Sequence, residues 1–105
     1  MDDRCSKTTH RLKTALLRKV DSDYPYVVEV GMSNIPAVRD KISGDIMHRY
    51  LDYWADALHD KKKLKILIAD ESDYGLSLWQ IAPFAGVFTP QERWAILRGD
   101  PYEQV

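Results

Sequence analysis

The chain has 105 residues, of which 45% are hydrophobic, and its formal charge at pH 7 is −1. This length predicts a single domain, and the hydrophobic content excludes an intrinsically disordered chain. The near balance between 15 basic and 16 acidic residues excludes a general electrostatic attraction to nucleic acid or to anionic membranes.

The two ends of the chain carry little that predicts structure. Residues 1–6 and 100–105 are expected to be flexible, and the one cysteine, Cys5, allows no disulfide within the chain. No apolar stretch approaches the ~20 residues of a membrane-spanning helix, and the first residues lack the apolar core of a signal peptide. We therefore expect a soluble, cytoplasmic protein that does not contact a membrane.

The first elements predicted are a helix and a strand. Apolar residues recur at helical spacing near the start of the chain: Leu12, Ala15, Leu16 and Val20. They predict a helix over residues 7–19. The sequence DSDYP then favours a turn, and the valines that follow it predict a strand over residues 26–31, ended by Gly31.

A long amphipathic helix is predicted within residues 33–63. Its apolar positions recur mostly at steps of three and four residues: Val38, Ile42, Ile46, Met47, Tyr50, Leu51, Trp54 and Leu58. Asn34 is suited to cap this helix and Pro36 to its first turn. Gly44 leaves two alternatives open. One long helix tolerates it at a cost of about 1 kcal/mol relative to alanine, or one helix ends there and a second begins at Asp45.

A β-hairpin is predicted next, between residues 64–69 and residues 76–81. The first run, LKILIA, is apolar with β-branched residues, and the acidic turn that follows it separates it from LSLWQI. An alternative for the second run is a helix from Ser77, which Pro83 would shorten or kink.

The last predicted element is a helix that begins after Thr89. Thr89 and Glu92 have the spacing of a capping box, and Pro90 suits the first helical position. Gly99 is a natural stop. The elements together predict an α+β fold in the order helix, strand, long helix, β-hairpin, helix, in which a small sheet packs on the long helix.

Aromatic residues supply the main functional hypothesis. Five of them are concentrated in one segment: Tyr74, Trp79, Phe84, Phe88 and Trp94. Trp and Tyr are enriched at protein interfaces and their hot spots. We therefore predict a partner-binding surface there, in a protein that acts by occupying a partner, as an inhibitor, immunity factor or adaptor does, or that forms a homodimer. Whether Trp79 and Trp94 belong to the core or to the interface stays open.

Nucleic-acid binding is the alternative hypothesis. Residues 1–20 carry a local charge of +4, with candidate phosphate contacts at Arg11, Lys13, Arg18 and Lys19. Residues 76–99 also resemble a helix-turn-helix, since Ala82 and Gly86 match the small residues of its first helix and turn. Pro83 and Glu92 depart from that pattern, because one breaks a helix and the other would be buried as a lone carboxylate.

Catalytic and metal chemistry is not predicted. His48 and His59 would lie ~16 Å apart along one helix, too far to share a metal, and His48 with Asp52 would form only a weak pair of ligands. The sequence has no glycine-rich phosphate loop and no paired-cysteine zinc motif. We therefore expect a protein without enzymatic activity, metal or cofactor.

Overall fold

The computed structural model describes residues 7–98, and this part of the chain consists of α-helices and their connections. The helices are α1 (Lys7–Ser22), α2 (Tyr24–Lys41), α3 (Asp45–Ala57), α4 (Lys61–Ala69), α5 (Asp73–Trp79) and α6 (Pro90–Arg98). Residues 7–98 contain no β-strand, so the predicted α+β fold is wrong. The predicted flexible ends, residues 1–6 and 100–105, and the predicted stop at Gly99 lie outside the described residues.

The predicted first helix is confirmed as α1. Leu16 and Val20 lie one turn apart and are fully buried, so α1 presents one apolar side to the core. α1 packs against α2, α4 and α6, and therefore lies at the centre of the fold.

The predicted strand over residues 26–31 is wrong, because these residues lie inside α2. Val27 and Gly31, one helical turn apart, are its buried positions. A Cβ at residue 31 would come within 2.9 Å of the Leu58 side chain, so the glycine allows a close approach to the end of α3. The local strand preference of the valines is overridden by this tertiary packing.

Of the two alternatives left open at Gly44, the structure shows the break into two helices. α2 ends at Lys41, Gly44 has φ of +92°, and α3 begins at Asp45. A positive φ is accessible to glycine at little steric cost. The predicted start at Asn34 and Pro36 is wrong, because both residues lie within α2.

The predicted β-hairpin is also wrong, since its two runs fall in α4 and α5. A strand would place Leu64, Ile66 and Ile68 on one face, but Leu64 and Ile68 are fully buried whereas Ile66 is 61% exposed. This burial follows the helical period. α5 begins at Asp73, not at Ser77 as the helical alternative predicted, and ends before Pro83.

The capping box of α6 is confirmed. The Thr89 N–H donates to Glu92 Oε1 at 2.8 Å, and the Glu92 N–H donates to Thr89 Oγ1 at 3.1 Å. Both bonds are local, which is why the sequence pattern predicts the helix start correctly.

The core lies where the helices meet. Its fully buried side chains include Leu16, Val20, Val27, Leu51, Trp54, Leu58, Leu64, Ile68 and Leu78. The Trp54 indole N–H donates to the Leu78 carbonyl at 2.8 Å, so the largest core side chain also satisfies its polar atom. Among residues 7–98, no helix is both long and apolar enough to cross a bilayer.

Candidate functional site

An open groove of about 260 Å³ lies beside the segment that connects α5 to α6. Three of the predicted partner-binding aromatics line it: Trp79, Phe84 and Phe88. The remaining lining residues are Leu12 and Leu16 of α1, Ala82 and Ala85 of the connection, and Arg93 of α6. The walls are therefore apolar, with three aromatic rings and one cationic side chain.

The bend over residues 83–87 is held in place by side chains of α2. The Asn34 amide donates to the carbonyls of Pro83 at 3.1 Å and Ala85 at 2.8 Å. The Tyr26 hydroxyl lies 3.2 Å from the Gly86 carbonyl oxygen and 3.0 Å from that of Val87, and donates between them. Four of the five carbonyls of residues 83–87 are thus satisfied by one neighbouring helix, and the fifth, that of Phe84, accepts from the Val87 N–H, so the groove wall is fixed.

The groove aromatics are also tied to the core. Phe84 contacts Trp54 edge to face, with ring centroids 5.3 Å apart at 88°. The Lys13 ammonium group lies 5.3 Å from the centroid of the Trp79 ring. Phe84 and Trp79 each have one side in the packed interior and another side in the groove. Because the interior holds both rings in place, the groove exists before any ligand binds.

Arg93 provides the charge at the groove. Its side chain is exposed, and its guanidinium makes no hydrogen bond or ion pair with any of residues 7–98. Arginine pairs with carboxylates through two parallel hydrogen bonds. No group within residues 7–98 occupies this guanidinium, so it is available to a carboxylate that approaches the groove.

The other two predicted partner-binding residues lie elsewhere. Trp94 is 64% exposed and does not line the groove. Tyr74 is exposed on α5 and contacts Tyr50 of α3, with ring centroids 5.8 Å apart at 89°. The structure therefore brings three of the five aromatics into one surface and separates two.

The predicted nucleic-acid contacts do not form one free cationic face. Lys13 is buried and donates to the Asp70 carbonyl at 2.7 Å, while Arg11 donates to the Leu97 carbonyl at 3.0 Å near the end of α6. The Lys19 ammonium group lies 5.3 Å from the Tyr26 ring centroid, and Arg18 is exposed. At least three of the four basic groups therefore have structural contacts.

The segment over residues 76–99 also lacks helix-turn-helix geometry. α5 ends at Trp79 and α6 begins at Pro90, so the ten residues 80–89 connect them. A helix-turn-helix joins its two helices by a turn of about three or four residues. Ala82 and Gly86 match the small residues of a helix-turn-helix, but the helices on either side of them are not arranged as in that motif.

Within residues 7–98, no three His, Cys, Asp or Glu side chains are grouped so that they could hold a metal ion. Asp52, which was considered together with His48, pairs instead with Arg39 at 2.9 Å.

Sequence reasoning missed two features of the surface. It did not connect Leu12 and Leu16 of α1 with the aromatic segment, because no sequence pattern links residues so far apart, and it did not single out Arg93, which lies beside Trp94 within that segment. It also assigned Ile46 and Tyr50 to the apolar stripe of the long helix, although Ile46 is 59% exposed. The width of that stripe was an available signal, since Met47, Leu51 and Trp54 already fill an apolar side of α3.

Comparisons with known proteins add no assignment to this geometry. No family model matches the chain, and neither a curated protein nor a solved structure is significantly similar to it. The functional argument therefore depends on the described residues themselves.

Proposed function

We propose that this protein is a non-catalytic binding module that holds a segment of a partner protein in the groove lined by Trp79, Phe84 and Phe88. The observation that carries the proposal is a preformed aromatic groove whose wall is fixed by Asn34 and Tyr26. The protein acts by occupying its partner, as an inhibitor or adaptor does.

The size and lining of the groove support an apolar side chain as its occupant. A cavity of about 150 Å³ accommodates a benzene ring, and this groove has about 260 Å³. Aromatic walls in a desolvated pocket are typical of interface hot spots. Because the bend is held in place without a ligand, binding would not have to order it, and this raises affinity.

The charge at the groove supports an acidic neighbour for that side chain. Arg93 is the one charged residue that lines the groove, and it has no partner within residues 7–98. A peptide with a large apolar residue beside an Asp or Glu would satisfy both the apolar walls and this guanidinium. The proposed partner segment therefore combines these two features.

Nucleic-acid binding stays a prediction that receives less support. Lys13 is buried and Arg11 is engaged at the end of α6, so few of the four basic groups are available to phosphates. Fluorescence anisotropy with labelled DNA and RNA at low ionic strength tests this alternative, since phosphate contacts strengthen as salt falls.

The proposal is tested by selecting random peptides from a phage-displayed library on the immobilised protein. Ala85→Trp is the blocked variant, because it places a large ring at an exposed position of the groove wall. Ala37→Trp is the matched control, since it makes the same change at an exposed position of α2 that does not line the groove. Arg93→Glu tests the charge.

We expect enriched peptides to contain a large apolar residue next to Asp or Glu. Their binding should be lost in Ala85→Trp and retained in Ala37→Trp, and Arg93→Glu should favour peptides with Lys or Arg instead. The proposal is overturned if no peptide family is enriched, or if the enriched peptides bind Ala85→Trp as well as they bind the unmodified protein.

A further inference from the structure

The groove lies within reach of the residues that follow α6 in the sequence. These residues, 99–105, have the sequence GDPYEQV and lie outside the described residues. Glycine and proline are residue types that end helices, so the sequence does not favour continuing α6 past Arg98. Glu103 can lie up to about 16 Å from Arg98, because an extended chain spans about 3.3 Å per residue. Arg93 is only ~7.5 Å back along α6, so a chain that turns back reaches it.

The composition of this segment matches the occupant proposed for the groove. Tyr102 has a large ring, and Glu103 follows it directly. The ring suits the apolar walls, and the carboxylate suits the guanidinium of Arg93. The inference below rests on the proposed function, since it assigns an occupant of the same chemistry to the same groove.

Two guanidinium groups lie between the end of α6 and the groove. Arg11 donates to the Leu97 carbonyl at 3.0 Å and uses one of its five N–H donors in this bond, so it marks the end of α6. Arg93 lies about one helical turn back, at the groove. Both arginines are exposed. The segment carries two carboxylates, Asp100 and Glu103, at a spacing that lets each approach one guanidinium.

α1 connects these two points along the surface. Its residue Arg11 lies beside the end of α6, while Leu12 and Leu16, further along α1, line the groove. α1 and α6 pack against each other. A chain that leaves α6 beside Arg11 and follows α1 therefore arrives at the groove.

We infer that residues 100–103 occupy the groove of their own chain. The Tyr102 ring lies against the aromatic wall, and the Glu103 carboxylate pairs with Arg93. A short tether gives the segment an effective concentration in the millimolar range, so an affinity as weak as about 1 mM occupies the groove in about half of the molecules. A partner segment has to displace these residues, while the other half of the molecules keep the groove open to it.

Nuclear magnetic resonance of the full chain, without any partner, tests this inference. We expect nuclear Overhauser effects (NOEs) between the ring protons of Tyr102 and protons of the groove residues Leu12 and Phe88. These NOEs should be lost in Ala85→Trp, which blocks the groove, and retained in Ala37→Trp, which does not. They should also persist on dilution, because the contact lies within one chain.

Variants of the segment give a second measurement. Tyr102→Ala should shift the amide signals of Ala85 and Phe88, because the ring no longer lies beside them. Tyr53→Ala is the matched control, since it makes the same change at an exposed residue of α3 that does not line the groove, and it should leave both signals in place.

A charge exchange separates the proposed ion pair from a loss of folding. Arg93→Glu should weaken the NOEs from Tyr102, because it places two carboxylates together. Adding Glu103→Arg to this variant should restore them, since the two charges attract again. Circular dichroism of each variant checks that the helices are retained.

Four results would overturn the inference. They are a Tyr102→Ala variant with unchanged Ala85 and Phe88 signals, NOEs to the groove from residues 1–6 in place of Tyr102, NOEs that disappear on dilution and therefore come from a second copy, and a charge exchange that restores nothing. The measurement needs no partner peptide. The peptide selection can therefore fail while these NOEs are present, and it can succeed while they are absent.

Discussion

The ammonium group of Lys13 donates a hydrogen bond of 2.7 Å to the backbone carbonyl of Asp70. Lys13 is only 1% exposed, and its ammonium group also lies 5.3 Å from the Trp79 ring centroid. One buried cation therefore connects α1 to the turn between α4 and α5 and to an aromatic residue of the groove.

Replacing Lys13 by methionine tests the contribution of this ammonium group. The change keeps an apolar chain of similar length and removes the charged donor, so we expect the free energy of unfolding to fall by about 1.5–3 kcal/mol. Urea denaturation measures it. Lys62→Met is the control, because Lys62 is exposed and its effect should stay within about 0.5 kcal/mol. Equal effects of the two changes would contradict the role given to Lys13.

Gly75→Ala should destabilise the protein, although the same change in most helix interiors stabilises it by about 1 kcal/mol. Gly75 is buried in α5, and a Cβ there would overlap the carbonyl oxygen and side chain of Asp70. We expect a loss of about 1–3 kcal/mol in the free energy of unfolding, as for other overpacked positions. Ser77→Ala on the same helix should change little. A stabilised Gly75→Ala variant would show that Asp70 moves away freely.

Acid should weaken the turn that Asp70 and Ser72 form. Hydrogen bonds from Ser72 to the Asp70 carboxylate, including its N–H at 2.9 Å, hold the pKa of this carboxyl below its usual 3.8. A group with a lowered folded-state pKa contributes stability above its unfolded pKa and loses it as pH falls through the folded pKa. The free-energy difference between the unmodified protein and Asp70→Asn should therefore be constant above about pH 5 and shrink below about pH 4. Urea denaturation across this range measures it, and a difference that persists at pH 2 would contradict the assignment.

Trp79→Ala and Trp94→Ala should differ strongly in stability. Trp79 packs against the core and lines the groove, so its truncation should lower the free energy of unfolding by about 2–4 kcal/mol. Trp94 is 64% exposed, and its truncation should change the same quantity by less than about 0.5 kcal/mol. Thermal unfolding followed by circular dichroism distinguishes them. Similar losses would place Trp94 in the core as well.

Features of the chain that depend on neighbouring residues were predictable from the sequence. The period of Leu16 and Val20 predicted α1, and the spacing of Thr89 and Glu92 predicted the start of α6. The break at Gly44 was one of two open alternatives, and the structure selected it. In each case, the residues that form the hydrogen bonds or the helical period lie within a few positions of one another in the sequence.

The functional surface was predictable in composition and not in arrangement. The aromatic residues of the groove were identified, but the groove itself depends on Asn34, which reaches Ala85 across 51 residues of sequence, and on Arg93. Ile46 and Tyr50 were assigned to the apolar stripe of the long helix because they continue its period, yet Ile46 is exposed.

Three runs were predicted as strands, and two of them, residues 26–31 and 64–69, show what the sequence left open. Both runs are short and rich in β-branched residues, and such runs fit a buried helix as well as a strand. What the sequence by itself determined was the helical period of α1 and the capping-box start of α6. Only the tertiary structure decided that Val27, Leu64 and Ile68 are buried with a helical period, because their burial depends on packing against helices that are distant along the chain.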